Sequence, residues 1–249
     1  MQREIVHIHF PDIDSTNSWA KINAQNFEPG KITLITAEKQ RDGKGRQGRK
    51  WISPAGENLY ATIVFQIPDS LKTPGSLTQV LAVTTARLLE DLGYSPQIKW
   101  PNDLLINGKK VAGILAELVT LAEGPGIAMG IGLNVNMPPH TLASIGQAAT
   151  SLVLEEGENI SIQELGSSLA SRYAKDLELF FSNNPYSFHS DLDRFNLFKN
   201  KIVSLDDGGN LWKGRFTSLN PDGSIQIEIE NNKIKTFYSG DISLVLCQT

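Results

Sequence analysis

Cysteine is almost missing from this chain of 249 residues. The single one, Cys247, excludes an internal disulfide and a cysteine-rich metal site, and its place beside the C-terminus argues against catalysis. Histidine is sparse and scattered, at positions 7, 9, 140 and 189. His7 and His9 fall on one strand face, but without carboxylate or cysteine partners nearby they make a poor metal pair. Long hydrophobic runs are absent as well. No apolar segment approaches ~20 residues, and no basic start followed by an apolar stretch opens the chain, so the expected compartment is the cytoplasm. Positive charge is not in excess: 23 Lys and Arg stand against 27 Asp and Glu, a net charge of −4. The chain therefore has no global affinity for nucleic acid or an anionic membrane. It also lacks Gly-x-x-x-x-Gly-Lys-Ser/Thr and a serine nucleophile elbow, which disfavours P-loop chemistry and covalent hydrolysis. No internal repeat or low-complexity segment occurs. A composition of 40% hydrophobic and 20% charged residues is that of an ordinary globular protein. The length suffices for one large domain, or a larger and a smaller one.

What is present is concentrated between Lys39 and Trp51. Six cations (Lys39, Arg41, Lys44, Arg46, Arg49, Lys50) surround one acid, Asp42, with glycines at 43, 45 and 48 among them. Glycine permits positive φ and close approach of backbone to ligand. The exposed amides of such a turn make an anion-binding concavity, and arginine adds a fork that matches carboxylate or phosphate. The pattern suits a ligand with several negative charges, such as a nucleoside triphosphate. On charge alone, a solvated basic loop or a nucleic-acid patch is the more ordinary reading.

The flanking grammar supplies a scaffold. Arg3 to Phe10 reads as a strand, and Ser15 as an N-cap for a helix from Thr16 to Gln25. Strands at Ile32–Ala37 and Asn58–Ile67 enclose the basic loop. Thr73-Pro74 and Gly93 bracket a helix with Leu77, Val80, Leu81, Thr84, Leu88 and Leu92 at helical spacing. Pro101 must break the strand at Lys99-Trp100. Asn107-Gly108 is a two-residue hairpin turn that starts a strand carrying Lys109 and Lys110. Gly113 within that strand suggests close approach of a ligand or backbone. Gly126 to Val135 forms another strand. Ser161-x-x-Glu164 is a capping box, its helix ended by Asn183-Asn184-Pro185, and Pro185 to Phe198 reads as a shorter helix. From Lys199 five short strands separated by turn residues predict a small barrel. Six acids and six bases leave that barrel no basic face. The residues alone leave a charge-clamping ligase or transferase.

Gly43-Lys44-Gly45-Arg46-Gln47-Gly48-Arg49-Lys50-Trp51 resembles the Gly-Arg-Gly-Arg-x-Gly-Arg-x-Trp signature of the biotin–protein ligase, or biotin–[acetyl-CoA-carboxylase] ligase, family. Lys99-Trp100-Pro101-Asn102-Asp103-Leu104 is similar to its second signature, followed at the family's spacing by Lys110 and Gly113-Ile114-Leu115-Ala116-Glu117. Asp14-Ser15-Thr16-Asn17, Gly132-Leu133-Asn134-Val135-Asn136 and Gly240-Asp241-Ile242-Ser243-Leu244 extend the likeness in order along essentially the whole chain.

The resemblance implies an α+β fold: a mixed β-sheet with helices, related to class II tRNA synthetases, over residues 1–198, and an SH3-like C-terminal β-barrel over 199–249. It implies that ATP, with Mg²⁺, activates biotin to biotinyl-5′-AMP. A lysine of a biotin carboxyl carrier protein domain then takes the biotin. Arg46 and Lys110 are the implied catalytic residues. Ser15, Thr16, Asn17, Gln40, Gly43, Lys44, Gly45, Arg46, Lys110 and Gly113 are expected at biotin or its adenylate, and Arg46, Arg49, Trp51, Asn102 and Asn134 at ATP. No redox cofactor, DNA or membrane partner is expected, and the state is monomer or homodimer. Lys44 stands where arginine is usual and loses the bidentate fork. Phe237 stands where some relatives have tryptophan near adenine, so stacking is kept and the indole donor lost. Only thirteen residues precede Asp14, so a ligase of the monofunctional type, without the N-terminal DNA-binding domain, is expected. A lipoate–protein ligase shares the fold and the adenylate chemistry, and a nucleic-acid-binding module is the rival from another class.

Overall fold

The computed structural model of the protein describes residues 3–71, 75–182 and 188–245. A first sheet of seven strands is built from β1 (Ile5–Phe10), β2 (Ile32–Ala37), β3 (Asn58–Gln66), β4 (Pro96–Lys99), β5 (Asp103–Ile106), β6 (Lys109–Leu121) and β7 (Gly124–Asn134), in the order β1-β2-β3-β7-β6-β5-β4. The β1–β2 pair is parallel and the other pairs are antiparallel, so the sheet is mixed. The helices are α1 (Thr16–Ile22), α2 (Gly75–Asp91), α3 (Pro139–Leu142), α4 (Leu152–Glu156), α5 (Ile162–Phe181) and α6 (His189–Phe195).

Both faces of the central strands are covered, and all six residues of β2 are buried. On one face Leu59, Ala61, Ile63 and Phe65 of β3 join Leu77, Leu81 and Leu88 of α2 and Leu165, Leu169 and Leu177 of α5 in the main core. The opposite face packs Ile35, Val64 and Ala128 against Ala20, Ala24 and Phe27, next to α1. Alternation along β3 is what sorts its side chains between the two layers. Ser15 caps α1 as expected, its Oγ accepting from the Ser18 amide at 3.4 Å. Ser161 caps α5 in the same way through the Glu164 amide. Gly93 takes φ of +93° just beyond α2.

Some expectations differ in detail. Leu92 lies past the last residue of α2 and is exposed rather than part of the buried stripe. Among the described residues of the shorter helix and connector anticipated over 185–198, His189–Phe195 are helical. Thr73-Pro74, Asn183-Asn184-Pro185 and Cys247 lie outside the described residues.

The C-terminal strands β8 (Ile202–Asp206), β9 (Leu211–Leu219), β10 (Ile225–Ile229), β11 (Lys233–Phe237) and β12 (Asp241–Leu244) form a five-stranded antiparallel sheet, ordered β11-β10-β9-β8-β12. Val203, Leu205, Phe216, Ile225, Ile227, Phe237 and Ile242 fill its interior and are continuous with the main core. Trp100 is the rivet between the parts. It is 2% exposed, and its Nε1 donates to the Gly223 carbonyl at 2.8 Å. Pro101 separates β4 from β5, as its missing donor requires.

Candidate active site

The basic loop is a hairpin. The Gly45 amide donates to the Arg49 carbonyl at 2.7 Å and the Trp51 amide to the Gly43 carbonyl at 2.8 Å. Gln47 and Gly48 turn the chain with φ of 56° and 73°. Gly43 is required by packing, because a Cβ there would lie 2.4 Å from the Trp51 carbonyl oxygen and 2.5 Å from Ser53 Oγ. Charge repulsion along the loop is offset by acids and amides from elsewhere. Arg41 pairs with Asp12 and Asp14, Arg49 with Asp241, and Arg46 donates to Asn102 Oδ1 at 3.0 Å.

Three glycines make the floor of the site on β6 and β7. A Cβ on Gly132 would fall 2.3 Å from Trp51 Cε2, one on Gly113 3.0 Å from Trp51 Cζ3, and one on Gly130 2.2 Å from Asn17 Oδ1. The close approach inferred at Gly113 is therefore made by the Trp51 and Lys110 side chains rather than by backbone. Trp51 lies against this floor with its Nε1 buried and without a hydrogen-bond partner among the described residues. Beside it runs a polar network. Thr62 Oγ1 donates and accepts between Thr16 Oγ1 (2.8 Å) and Asn17 Oδ1 (2.6 Å). Gln40 Oε1 accepts from the Thr16 amide at 2.9 Å, and its Nε2 donates to Ser53 Oγ at 3.0 Å. Ser15, Thr16 and Asn17 are all nearly buried at the start of α1.

Lys110 completes the site. Asn107 and Gly108 both take positive φ, as this tight hairpin turn needs. They set Lys109 on the exposed side and Lys110 inward. Lys110 Nζ is 2.8 Å from Asp103 Oδ1 and 5.4 Å from the centre of the Trp51 ring. Its backbone is held by residues 148 and 150. Burial pushes the Arg46 guanidinium below its usual value, opposed by the nearby carboxylates of Asp241 and Asp103. It stays a cation, since arginine starts so far above neutrality.

These groups surround a cavity of about 300 Å³. Of the expected residues, Ser15, Thr16, Asn17, Gln40, Lys44, Gly45, Arg46, Arg49, Trp51, Asn102, Lys110 and Gly113 line it. Gly43 and Asn134 do not: Gly43 backs the loop onto Ser53, and Asn134 is buried, donating to the Thr150 carbonyl. Phe237 is 4% exposed inside the barrel, 6.0 Å from the Trp212 ring, so it does not stack in the cavity. Lys50, Lys99, Asp103, Gln147 and Asp241 line the cavity without having been singled out as site residues. Six cations (Lys44, Arg46, Arg49, Lys50, Lys99, Lys110) against two acids (Asp103, Asp241) make it strongly anion-accepting.

A model of the Biotin/lipoate A/B protein ligase family matches residues 9–134, and one of the biotin protein ligase C terminal domain matches residues 200–245. The chain is 31% identical over 236 residues to the bifunctional ligase/repressor BirA of Escherichia coli (strain K12), covering 94% of this chain and 72% of that protein. It is 35% identical over 174 residues to a biotin–[acetyl-CoA-carboxylase] ligase of Paracoccus denitrificans, covering 65% of this chain and 69% of that one. Its fold is similar to the biotin protein ligase of Aquifex aeolicus solved in complex with biotin and ATP, with a TM-score of 0.81, 30% identity, and 96% and 98% of the two chains covered.

Proposed function

We propose, from the premise that this chain belongs to the biotin/lipoate A/B protein ligase family, that it is a biotin–protein ligase acting in two steps at the cavity beneath the basic loop. The observation that carries this is the cavity itself, where, among the described residues, six cations face two acids around a buried indole donor that has no partner. A carboxylate and a triphosphate repel one another, so bringing them together is an electrostatic and positional task. In the first step a carboxylate oxygen of biotin attacks the α-phosphorus of ATP. The bond to the β-phosphate oxygen breaks, leaving biotinyl-5′-AMP and pyrophosphate. In the second, a lysine amine of a biotin carboxyl carrier protein domain attacks the acyl carbon, the C–O bond of the mixed anhydride breaks, and AMP departs.

Arg46 donates to Asn102 and Lys110 pairs with the adjacent Asp103, and both cations are assigned to the reacting carboxylate and α-phosphate oxygens. Arg49, Lys44 and Lys50 take the outer phosphates. Buried Asn17 and Thr16 with half-buried Gln40 form a donor and acceptor set suited to the polar head of biotin, and Trp51 Nε1 offers a further donor. Mg²⁺ fits as an ion carried by the triphosphate. Asp103 and Asp241 are carboxylates on the cavity wall, and one or two carboxylates with phosphate oxygens are what Mg²⁺ ordinarily takes. The ion would neutralise phosphate charge. No helix among the described residues is long and apolar enough to cross a membrane, and the cytoplasm, with its ATP, is the proposed setting.

The test is pyrophosphate release with ATP and Mg²⁺ plus biotin, lipoate or neither. Release with biotin alone is expected. Release with lipoate alone would move the chain to the lipoate branch of its family, and no release with either would overturn the ligase reading.

A further inference from the structure

The six cations of the cavity are not all answered by the protein. Arg46 donates to Asn102, Arg49 pairs with Asp241, and Lys110 pairs with Asp103. Lys44, Lys50 and Lys99 line the cavity too, and none of the three has an ion-pair partner among the described residues. Lys99 is half-buried at the end of β4, in register with Asp103, but that carboxylate is taken by Lys110.

Lys44 and Lys50 are set directly opposite one another across the basic hairpin. The two hairpin bonds, Gly45 to Arg49 and Trp51 to Gly43, flank this pair rather than join it. That is the closely spaced kind of antiparallel pair, with Cα atoms about 4.5 Å apart. Like charges so placed destabilise a strand pair. The hairpin therefore holds two ammonium groups where an anion between them relieves the repulsion. Both lysines are exposed and both line the cavity, which puts them at its mouth.

The order of the two chemical steps gives this pair a further consequence. When pyrophosphate leaves after the first step, the charge that matched the outer cations leaves with it. Biotinyl-5′-AMP keeps a single phosphate charge, assigned to Arg46 and Lys110. Six cations against two acids then face that one charge, and the emptied outer part attracts another polyanion. The side that releases pyrophosphate also admits it, so the α-phosphorus is open there to an incoming phosphate oxygen. An open, cationic mouth sets no limit on the length of the chain behind that oxygen.

We propose a further activity of this site: transfer of the adenylyl group from biotinyl-5′-AMP to the terminal phosphate of a triphosphate, with the Lys44–Lys50 pair gripping the part of the chain that extends beyond the length of pyrophosphate. The inference rests on the ligase reading and goes beyond it. An ionised terminal phosphate oxygen attacks the α-phosphorus and forms a P–O–P bond. The bond from phosphorus to the acyl oxygen breaks, and the carboxylate of biotin takes the electron pair and departs. Inorganic tripolyphosphate gives adenosine 5′-tetraphosphate, and a second ATP gives a dinucleoside tetraphosphate. Biotin is regenerated and acts as a catalyst, whereas transfer to a carrier lysine consumes it.

The test incubates the full chain with ATP, Mg²⁺ and biotin in large deficit over ATP, with tripolyphosphate in one arm and without it in the other, and separates the nucleotides by anion exchange. Adenosine tetraphosphate in the first arm and dinucleoside tetraphosphate in the second are expected, each in molar excess over biotin and absent without it. A biotin carboxyl carrier domain should suppress both, because its lysine competes for the same adenylate. Product in one arm only would uphold the activity and name the acceptor. Lys50→Gln, an exposed change that leaves the hairpin bonds in place, is expected to lower tripolyphosphate use by about fivefold relative to biotin-dependent exchange of labelled pyrophosphate into ATP, the worth of one exposed charge contact. An unchanged ratio would overturn the grip. A chain that exchanges pyrophosphate but makes neither tetraphosphate would overturn the activity. Absence of biotin-dependent exchange altogether would fall on the ligase reading, and the activity would fall with it.

Discussion

Lys110 and Lys109 are adjacent in sequence, yet only Lys110 reaches the cavity, 2.8 Å from Asp103. Its ammonium is a mobile point charge able to follow charge from carboxylate to phosphate. Lys110→Ala is expected to slow single-turnover adenylate formation by roughly a hundredfold, corresponding to ~3 kcal/mol for a lost charge contact of this kind. Lys109→Ala should leave the rate close to normal, and equal effects would remove Lys110 from the reacting centre. Gly132 is a second residue with a sharp consequence. A methyl group there would meet the Trp51 indole at 2.3 Å, and forcing extra volume into a packed site costs about 1–3 kcal/mol. Gly132→Ala should lower the denaturation midpoint and depress adenylation, whereas Gly146→Ala, whose Cβ meets nothing within 4 Å, should do neither. Phe237 shows how far reading by likeness reaches. One position along the strand reverses the face presented, so Phe237 fills the barrel while its neighbour Tyr238 is the aromatic that meets a cavity.

At the scale of elements, the basic loop was the most legible feature, because charge and glycine at short spacing are local properties. Repulsion among its cations argues that the empty loop is loose and that an anionic ligand orders it. The structure adds the acids that answer those cations without a ligand: Asp12, Asp14 and Asp241. Hydrogen exchange at residues 40–51 is expected to slow when biotin and ATP are added together. Equal protection with and without them would mean that the acids and the hairpin bonds alone fix the loop. The helix layer supplies a test from acidity. Burial alone would raise the Asp191 carboxyl, but hydrogen bonds from Arg194 and Arg87 outweigh it and hold its pKa below the usual carboxylate value. Asp191 thus ties α6 to α2. Its stabilising contribution is present above the ordinary carboxylate pKa of about 3.9 and is lost as pH falls through the lowered value. The urea midpoint of Asp191→Asn should lie below that of the unsubstituted chain at neutral pH, with the gap closing in strong acid. A gap independent of pH would show that the ion pairs contribute nothing.

At the scale of the whole molecule, strands and long helices followed from periodicity and capping, since Ser15, Ser161, Gly93 and Asn107-Gly108 act on their own neighbours. What the sequence pattern did not yield was the set of partners that packing brings in from a distance. Asp241 reaches Arg49 from the barrel, 192 positions along the chain. Gln147 enters the cavity from an irregular stretch, held where residues 148–150 pair with Lys110. Gln79 of α2 donates to the Pro101 carbonyl, 22 positions along the chain. The cations of the basic loop were readable; their answering acids were not, because no local rule places a barrel strand over an active-site hairpin. Both parts of the molecule line the cavity proposed for the reaction, in which a carboxylate would become bonded to an α-phosphate. The fate of the carboxylate oxygens tests that claim most directly. With biotin labelled by ¹⁸O in its carboxylate, and with ATP and a biotin carboxyl carrier domain, AMP should carry one ¹⁸O atom for each biotin transferred. AMP free of the label would contradict the account.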